Sequence, residues 1–449
     1  MFQAFRWPSI VTSVVLVMAS AVAQSDDKYK LEEPVDDIRV FGVGTRVDVS
    51  GKVQPVPKGV QLAQTVSAVI SYRERRMLGP GSEAEAFRSV REYETAQADT
   101  DFDGNKSQMR LPDSLMLMVA QGRHEGVELR SIQGLLTSDE LDLIRSPADS
   151  LALIALLPPN EVAVGDKWTV PSWAFQMLTA LDAIAKGELV CTLDSVDKGI
   201  AKIKMNGTLE GAAVASSTEV KVTGFFKYNL EGKYISETDF VQTELRAFGP
   251  ISPGLDITAR VRLLRVPSKP PGRLGDQKIV DLASPEPTPA AMLLKFESPW
   301  NISLQHNRHW HFFRVEEGVA KFRLLEEGNF IAQFDMAPVA QAKPGEHKSI
   351  EVFQADVRKA IGDLLKTLEQ GQVIPSTDGK FVYRVTAKGA VKDRDITWIC
   401  YLVADPTGRQ ASLMFIADTP LVEKITRYER ELIESIRFGP APPPRAANK

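Results

Sequence analysis

Apolar and polar residues alternate with period two over much of the first 266 residues. Ile38 to Val49 alternates around Gly42 and Gly44. Val60 to Met77 is a second extended stretch, ending at Gly79-Pro80-Gly81. Ser114 to Val119 and Val127 to Ile132 read as strands about a polar turn at Gly122 to Gly126. Such alternation puts one face of each strand in a core and the other in water. Past Gly187 the signal is a meander: Glu188 to Ser195, Ile200 to Thr208, Thr218 to Leu230, Tyr234 to Phe248 and Leu255 to Val266. Its turns are Asp197-Lys198-Gly199 and Glu231-Gly232-Lys233. Glu83 to Ala98 mixes apolar and charged residues and fits neither period.

Helical spacing interrupts this pattern in the middle. Thr137-Ser138-Asp139-Glu140 has the form of a capping box, in which the Thr hydroxyl accepts from the Glu140 N–H and the Glu side chain reaches back. It predicts a short helix over Ser138 to Ile144. Ser146-Pro147 restarts a helix through Leu156, until Pro158-Pro159 stops it. Gly165-Asp166-Lys167-Trp168 is a turn feeding a strand. Ser172 then caps a helix whose apolar positions Phe175, Leu178, Leu181, Ile184 and Ala185 share a face, with Gly187 closing it. Residues 28–266 are therefore expected to form a β-rich unit, an antiparallel sheet or open barrel with one or two helices.

Six prolines between Pro267 and Pro289 predict a linker in which no helix or central strand survives, because proline fixes φ and cannot donate. A second unit follows over 290–438. It opens with strands at Phe296 to Leu304, His309 to Val315, Val319 to Leu325 and Asn329 to Ala337. Ser349 to Gln370 reads as a long amphipathic helix, with Phe353, Val357, Ile361, Leu364, Leu365 and Leu368 on one face and Gly371 at its end. Lys380 to Lys388, Asp395 to Ala404 and Ala411 to Ala417 are three further strands. Asp418-Thr419-Pro420 caps a last helix with a stripe of Leu421, Ile425, Tyr428, Leu432 and Ile436. The fold class is α+β, and 439–449 is expected to be a disordered tail.

The first residues change where this chain is expected to work. Arg6, the apolar run Ile10 to Met18 and Ala21-Val22-Ala23 have the form of a secretory signal over residues 1–23. The chain is then expected to be exported, to the periplasm or beyond, with no transmembrane segment after the signal is removed. At 43% hydrophobic and 25% charged residues its composition is that of a globular protein. A formal net charge of −4 with no basic block argues against nucleic acid as a partner. An envelope protein or an apolar ligand is the expected partner. Cys191 and Cys400 sit in apolar runs of different units. Export permits a disulfide, and two buried thiols are the simpler reading.

Two clusters carry candidate metal chemistry. Asp99, Asp101 and Asp103, followed by Gly104, imitate the start of a calcium loop; the twelfth position, however, is Arg110 where a bidentate Glu belongs. His306, His309 and His311 hold three of the five histidines, and on a strand His309 and His311 point the same way, a spacing that suits zinc or copper. Trp310, Phe312 and Phe313 give the same run the pattern of a strand with one apolar and one polar face. No cofactor is expected, with calcium or zinc as the exceptions these clusters allow. No Gly-x-Ser-x-Gly elbow, Walker loop or His-Glu-x-x-His occurs in the sequence.

Two resemblances add to this. Leu136 to Ile144, Asp149-Ser150-Leu151, Leu156-Leu157-Pro158 and Val164 to Trp168 resemble an uncharacterised group of exported proteins from planctomycete-type bacteria. That implies export and brings no activity or catalytic residue. The segment order of the last third, with its ending Arg430 to Phe438, resembles the PsbP-like α-β-α sandwich. That implies a module that binds or stabilises other proteins. Three functions follow: an exported non-catalytic binding or structural protein of two modules; an envelope lipid or hydrophobe carrier using the first unit as a half-barrel; and a metal-dependent hydrolase centred on the three histidines.

Overall fold

The computed structural model describes residues 27–440, except 35–36, 79–82, 125, 270, 284 and 327–328. The signal at 1–23 and the tail from 441 onward lie outside the described residues.

The first strands are β1 (Val40–Gln54), β2 (Leu62–Leu78), β3 (Phe87–Phe102), β4 (Asn105–Arg110), β5 (Leu117–Arg123) and β6 (Gly126–Ser131). Helix α1 (Ser138–Ile144), β7 (Lys167–Thr169) and α2 (Ser172–Thr179) follow. The meander is β8 (Ala183–Asp197), β9 (Ile200–Ala213), β10 (Ser216–Asn229), β11 (Tyr234–Arg246) and β12 (Gly254–Pro267). All belong to one antiparallel sheet in the order β6-β5-β3-β2-β1-β12-β11-β10-β9-β8-β7, with β4 hairpinned onto β3. Alternation is cleanest in β9, where Ala201, Ile203, Met205 and Leu209 are buried while Lys204, Asn206, Thr208 and Glu210 face water.

This sheet curls into an open barrel. Helix α2 touches both β6 and β8, strands at or beside opposite edges of the sheet. Every residue of α2 from Trp173 to Thr179 is buried. Leu143, Leu151, Leu153, Leu156, Phe175 and Leu178 fill the inside as one core with the inward residues of the strands.

The capping box forms as the sequence predicts: Thr137 accepts from Glu140 N, and the Glu140 carboxylate accepts from Thr137 N (2.8 Å). Two helices are shorter than their spacing predicts. After Ile144 the chain makes turns and only a 3-10 turn at Ile154–Leu156, so Ser146 to Leu156 is not an α-helix. Helix α2 stops at Thr179 because Ala180 turns left-handed (φ 56°), and Ile184 and Ala185 already belong to β8. Gly187 does not close a helix. It sits inside β8 at φ 133°, where a Cβ would collide with the backbone of Thr208.

The proline-rich stretch is docked and partly helical. Helix α3 (Gln277–Ala283) forms between its prolines. Leu274, Val280 and Ala283 pack with Val40, Val90 and Val119 on the outer face of the first sheet. Proline excludes only its own position and its neighbours, so the proline-free run 272–284 keeps its helix-forming ability.

The second unit contains β13 (Leu294–Glu297), β14 (Ile302–His306), β15 (Trp310–Glu316), β16 (Val319–Glu326), β17 (Asn329–Val339) and α4 (Ile350–Ile361). Then come β18 (Leu365–Leu368), β19 (Gln372–Val373), β20 (Phe381–Val391), β21 (Arg394–Ala404), β22 (Gln410–Asp418), α5 (Val422–Ser435) and β23 (Arg437–Phe438). The main sheet runs β15-β16-β17-β22-β21-β20-β18, and β13-β14-β23 forms a small second sheet. Phe353, Val357 and Ile361 of α4 pack on one side, against Tyr383, Val385 and Trp398. Ile425, Leu432 and Ile433 of α5 pack on a core with Phe322, Phe334 and Phe415. Helix α4 also ends early: Gly362 takes φ 60°, and Leu365 and Leu368 belong to a strand paired with β20, not to a helix reaching Gln370.

Candidate functional site

Hydrogen bonds among the described residues dock the second unit on the first. Lys295 N donates to Leu136 O (2.8 Å), and Arg308 Nη2 donates to Leu129 O (2.6 Å). A cleft of about 500 Å³ is lined by residues of both units. One wall is the end of the first sheet, where Val53 of β1 pairs with Leu255 of β12 and Phe102 closes β3. The loop with Phe248 and Pro253 forms the floor, and Phe313 and Arg314 of β15 form the facing wall. Phe313 is displaced from regular pairing by a bulge between Phe312 and Arg314. The guanidinium of Arg323 stacks on its ring, 3.9 Å from the centroid, with that of Arg314 at 5.0 Å. Phe248 is 43% exposed, a large apolar side chain presented to solvent at the cleft. Arg246 is tied to Glu244 (2.9 Å) and Arg314 to Glu316 (3.0 Å), so both lining guanidiniums are held in place by carboxylates on their own strands. Its volume is within the range of small-ligand pockets, and the cleft is open to solvent.

A second feature is ionic and lies inside the barrel. Arg91, 1% exposed, donates to both oxygens of Asp149 (2.8 and 2.6 Å), to Glu74 (3.0 Å) and to Ser150 (3.2 Å). At the barrel's β1 end, Arg265 Nη1 donates to Glu33 (2.7 Å), and Arg76 pairs with the same carboxylate (2.7 Å). Burial alone pushes the Glu33 carboxyl up, but the Arg265 and Arg76 guanidiniums outweigh it and hold it at about 2. Six buried charges thus balance: three arginines and three carboxylates. None of the six is suggested by a local motif, since Glu33 and Arg265 are 232 positions apart.

The structure separates the three histidines into different environments. His306 is buried in β14, its Nδ1 bonded to Asn307 O (2.9 Å) and its ring against Phe322; burial lowers its pKa. His309 precedes β15 and is exposed, its ring 6.2 Å from that of Tyr428. His311 is half-buried on β15, and burial pushes it down to about 4. Asp99 and Asp101 lie on β3 and Asp103 at a hairpin tip. Asp103 (φ 50°) and Gly104 (φ 85°) form the two-residue turn between β3 and β4. Asp101 accepts from Gly104 N (2.9 Å) and Asp99 from Gln108 Nε2 (2.9 Å). Asp99 and Asp101 line a polar groove of about 780 Å³ with Asp48, Ser67 and Lys106. Among the described residues, no three His, Cys, Asp or Glu side chains converge as a metal site. Cys191 and Cys400 are both free and buried, and burial pushes both thiols up to about 12. No described helix is long and apolar enough to cross a membrane.

No protein-family model matches this chain, and no curated protein matches it. Among solved structures it is similar to lipovitellin at 8% identity and a TM-score of 0.32, over 52% of this chain and 26% of that one. The chain therefore spans about a quarter of lipovitellin's length. It also aligns with OccK11 (OpdR) of Pseudomonas aeruginosa at 6% identity and a TM-score of 0.13, over 84% of this chain and 95% of that one. The translocator domain of the autotransporter NalP from Neisseria meningitidis aligns at 7% identity and 0.13, over 85% and 89%. Likeness at this level carries no argument about function.

Proposed function

We propose that this chain is an exported, non-catalytic binding protein of two modules that seats an apolar ligand in the cleft between them. The observation that carries the reading is the cleft itself: Val53, Phe102, Phe248, Leu255 and Phe313 converge there from both units around about 500 Å³. A ligand buried against those side chains gains on the order of 25 cal/mol for each Å² of apolar surface removed from water. Arg246 and Arg314, each paired with a carboxylate on its own strand, line the cleft beside that apolar wall. The PsbP-like resemblance of the second unit agrees with a module that binds rather than transforms.

The test is a fluorescence titration with anilinonaphthalene sulfonate, an aromatic anion that brightens in apolar sites. The wild-type protein is expected to give one saturable site, which Phe248→Asp with Phe313→Asp abolishes while circular dichroism is unchanged. Equal saturable binding by the wild type and the folded double variant would overturn the reading.

A further inference from the structure

A short strap crosses one mouth of the open barrel. Tyr29 forms an isolated bridge with Val162, with N–H···O bonds of 2.8 and 3.0 Å. Leu31, 1% exposed, points into the main core. The Tyr228 hydroxyl donates to Glu32 O (2.5 Å) and accepts from Glu32 N (3.2 Å). Glu33 then turns its carboxylate inward to Arg265, Arg76 and the N–H of Ile235 (2.8 Å). The strap thus presents to the barrel an apolar side chain followed, two residues on, by a buried carboxylate. A fatty carboxylate presents the same two groups in the same order.

The receiving side holds more donor capacity than Glu33 uses. Two guanidiniums share the Glu33 carboxylate, and among the described residues Nε and Nη2 of both Arg76 and Arg265 are buried without a hydrogen-bond partner. The neighbouring acid, Glu74, bonds through Oε1 to Arg91, Ser89 and Ser150, and its buried Oε2 makes no hydrogen bond among the described residues, so the two guanidiniums face Glu33 and one further carboxylate oxygen. The walls beside the pair are apolar and aromatic: the Arg265 guanidinium lies 3.9 Å from the Phe41 ring centroid, and Phe41 packs on Tyr234 at 5.3 Å. Buried arginine donors next to aromatic walls form a seat for a planar carboxylate on an apolar tail. We propose that Arg76 and Arg265 form a receptor for a fatty carboxylate, and that the strap 28–34 holds it shut with Glu33 standing in for the ligand. This site is separate from the cleft between the units and does not rest on it.

The experiment uses decanoate, with decanol as its uncharged counterpart, and the full-length protein. In the wild type, decanoate is expected to speed hydrogen exchange at the amides of Ile235 and Val162, which the strap protects, by at least fivefold; decanol leaves them unchanged. Glu33→Ala is expected to bind decanoate at least tenfold more tightly than the wild type by calorimetry. Glu33→Gln, which keeps the shape of the side chain, serves where the alanine variant does not fold. Phe248→Asp with Phe313→Asp is expected to leave both effects intact. Unchanged exchange at both amides with decanoate, or equal effects of decanoate and decanol, would overturn the proposal, since Glu33 would then be an ordinary structural ion pair.

Discussion

Arg91→Met is expected to be among the most damaging single changes in the first unit. Methionine matches the stem of arginine but leaves Asp149 and Glu74 buried, 7% and 1% exposed, without the cation that bonds to both. Removing one partner of a buried ion pair costs about 3–5 kcal/mol, because the remaining charge is left in a low-dielectric interior. For a unit of this size each kcal/mol lowers the melting temperature by roughly 2–4 °C, so a loss of roughly 6–20 °C is expected. The sign with pH follows. In the variant Glu74 loses its strongest cationic partner while its burial remains, so its carboxyl rises from its lowered position, acidification relieves the strain, and the deficit shrinks from pH 8 to pH 5. Removing all three charges together, as Arg91→Met with Glu74→Gln and Asp149→Asn, restores much of the loss. Thermal unfolding followed by circular dichroism reads each value. A fall of less than 2 °C for Arg91→Met, or a deficit that grows on acidification, would refute the reasoning.

Other predictions are smaller. Thr137→Ala removes the cap of α1 and is expected to cost about 1 kcal/mol in chemical denaturation. Asp101→Ala removes the bond to Gly104 N at the hairpin tip and should cost about 1 kcal/mol, with added calcium restoring none of it. Both thiols are buried and pushed up to about 12, so a thiol reagent at pH 8 should label Cys191 and Cys400 only after denaturant is added. Glu33 is held at about 2 in the fold, so its stabilising contribution is full above the unfolded carboxyl range and declines as pH falls toward 2; Glu33→Gln should flatten that part of the acid-unfolding curve.

Much of the fold is legible in the sequence where the signal is local. The meander from β8 to β12 shows its alternation residue by residue, and the capping box at Thr137 marks the start of α1 to the residue. Helix ends are less legible, because apolar residues at helical spacing also suit a strand. Leu365 and Leu368 sit at positions a continuing helix would use, and Gly362 decides against it by a left-handed turn. Ala180 does the same to α2 without being a glycine, so nothing in the sequence announces the stop. The linker's prolines say nothing of the run between them that forms α3. Neither candidate site is local in sequence. The cleft joins residues from 53 to 255 with Phe313, and Glu33 meets Arg76 and Arg265 across most of the first unit. Phe248 and Phe313 read only as members of strands, since exposure of an aromatic side chain is a property of the assembled surface.

A native mass spectrum tests the binding account most directly. The protein is purified without detergent, incubated with anilinonaphthalene sulfonate, freed of unbound material and sprayed beside the Phe248→Asp, Phe313→Asp variant. The account predicts an added mass on the wild type, one ligand per chain, that is absent from the variant. A bare mass for both, or the same adduct on both, would contradict it.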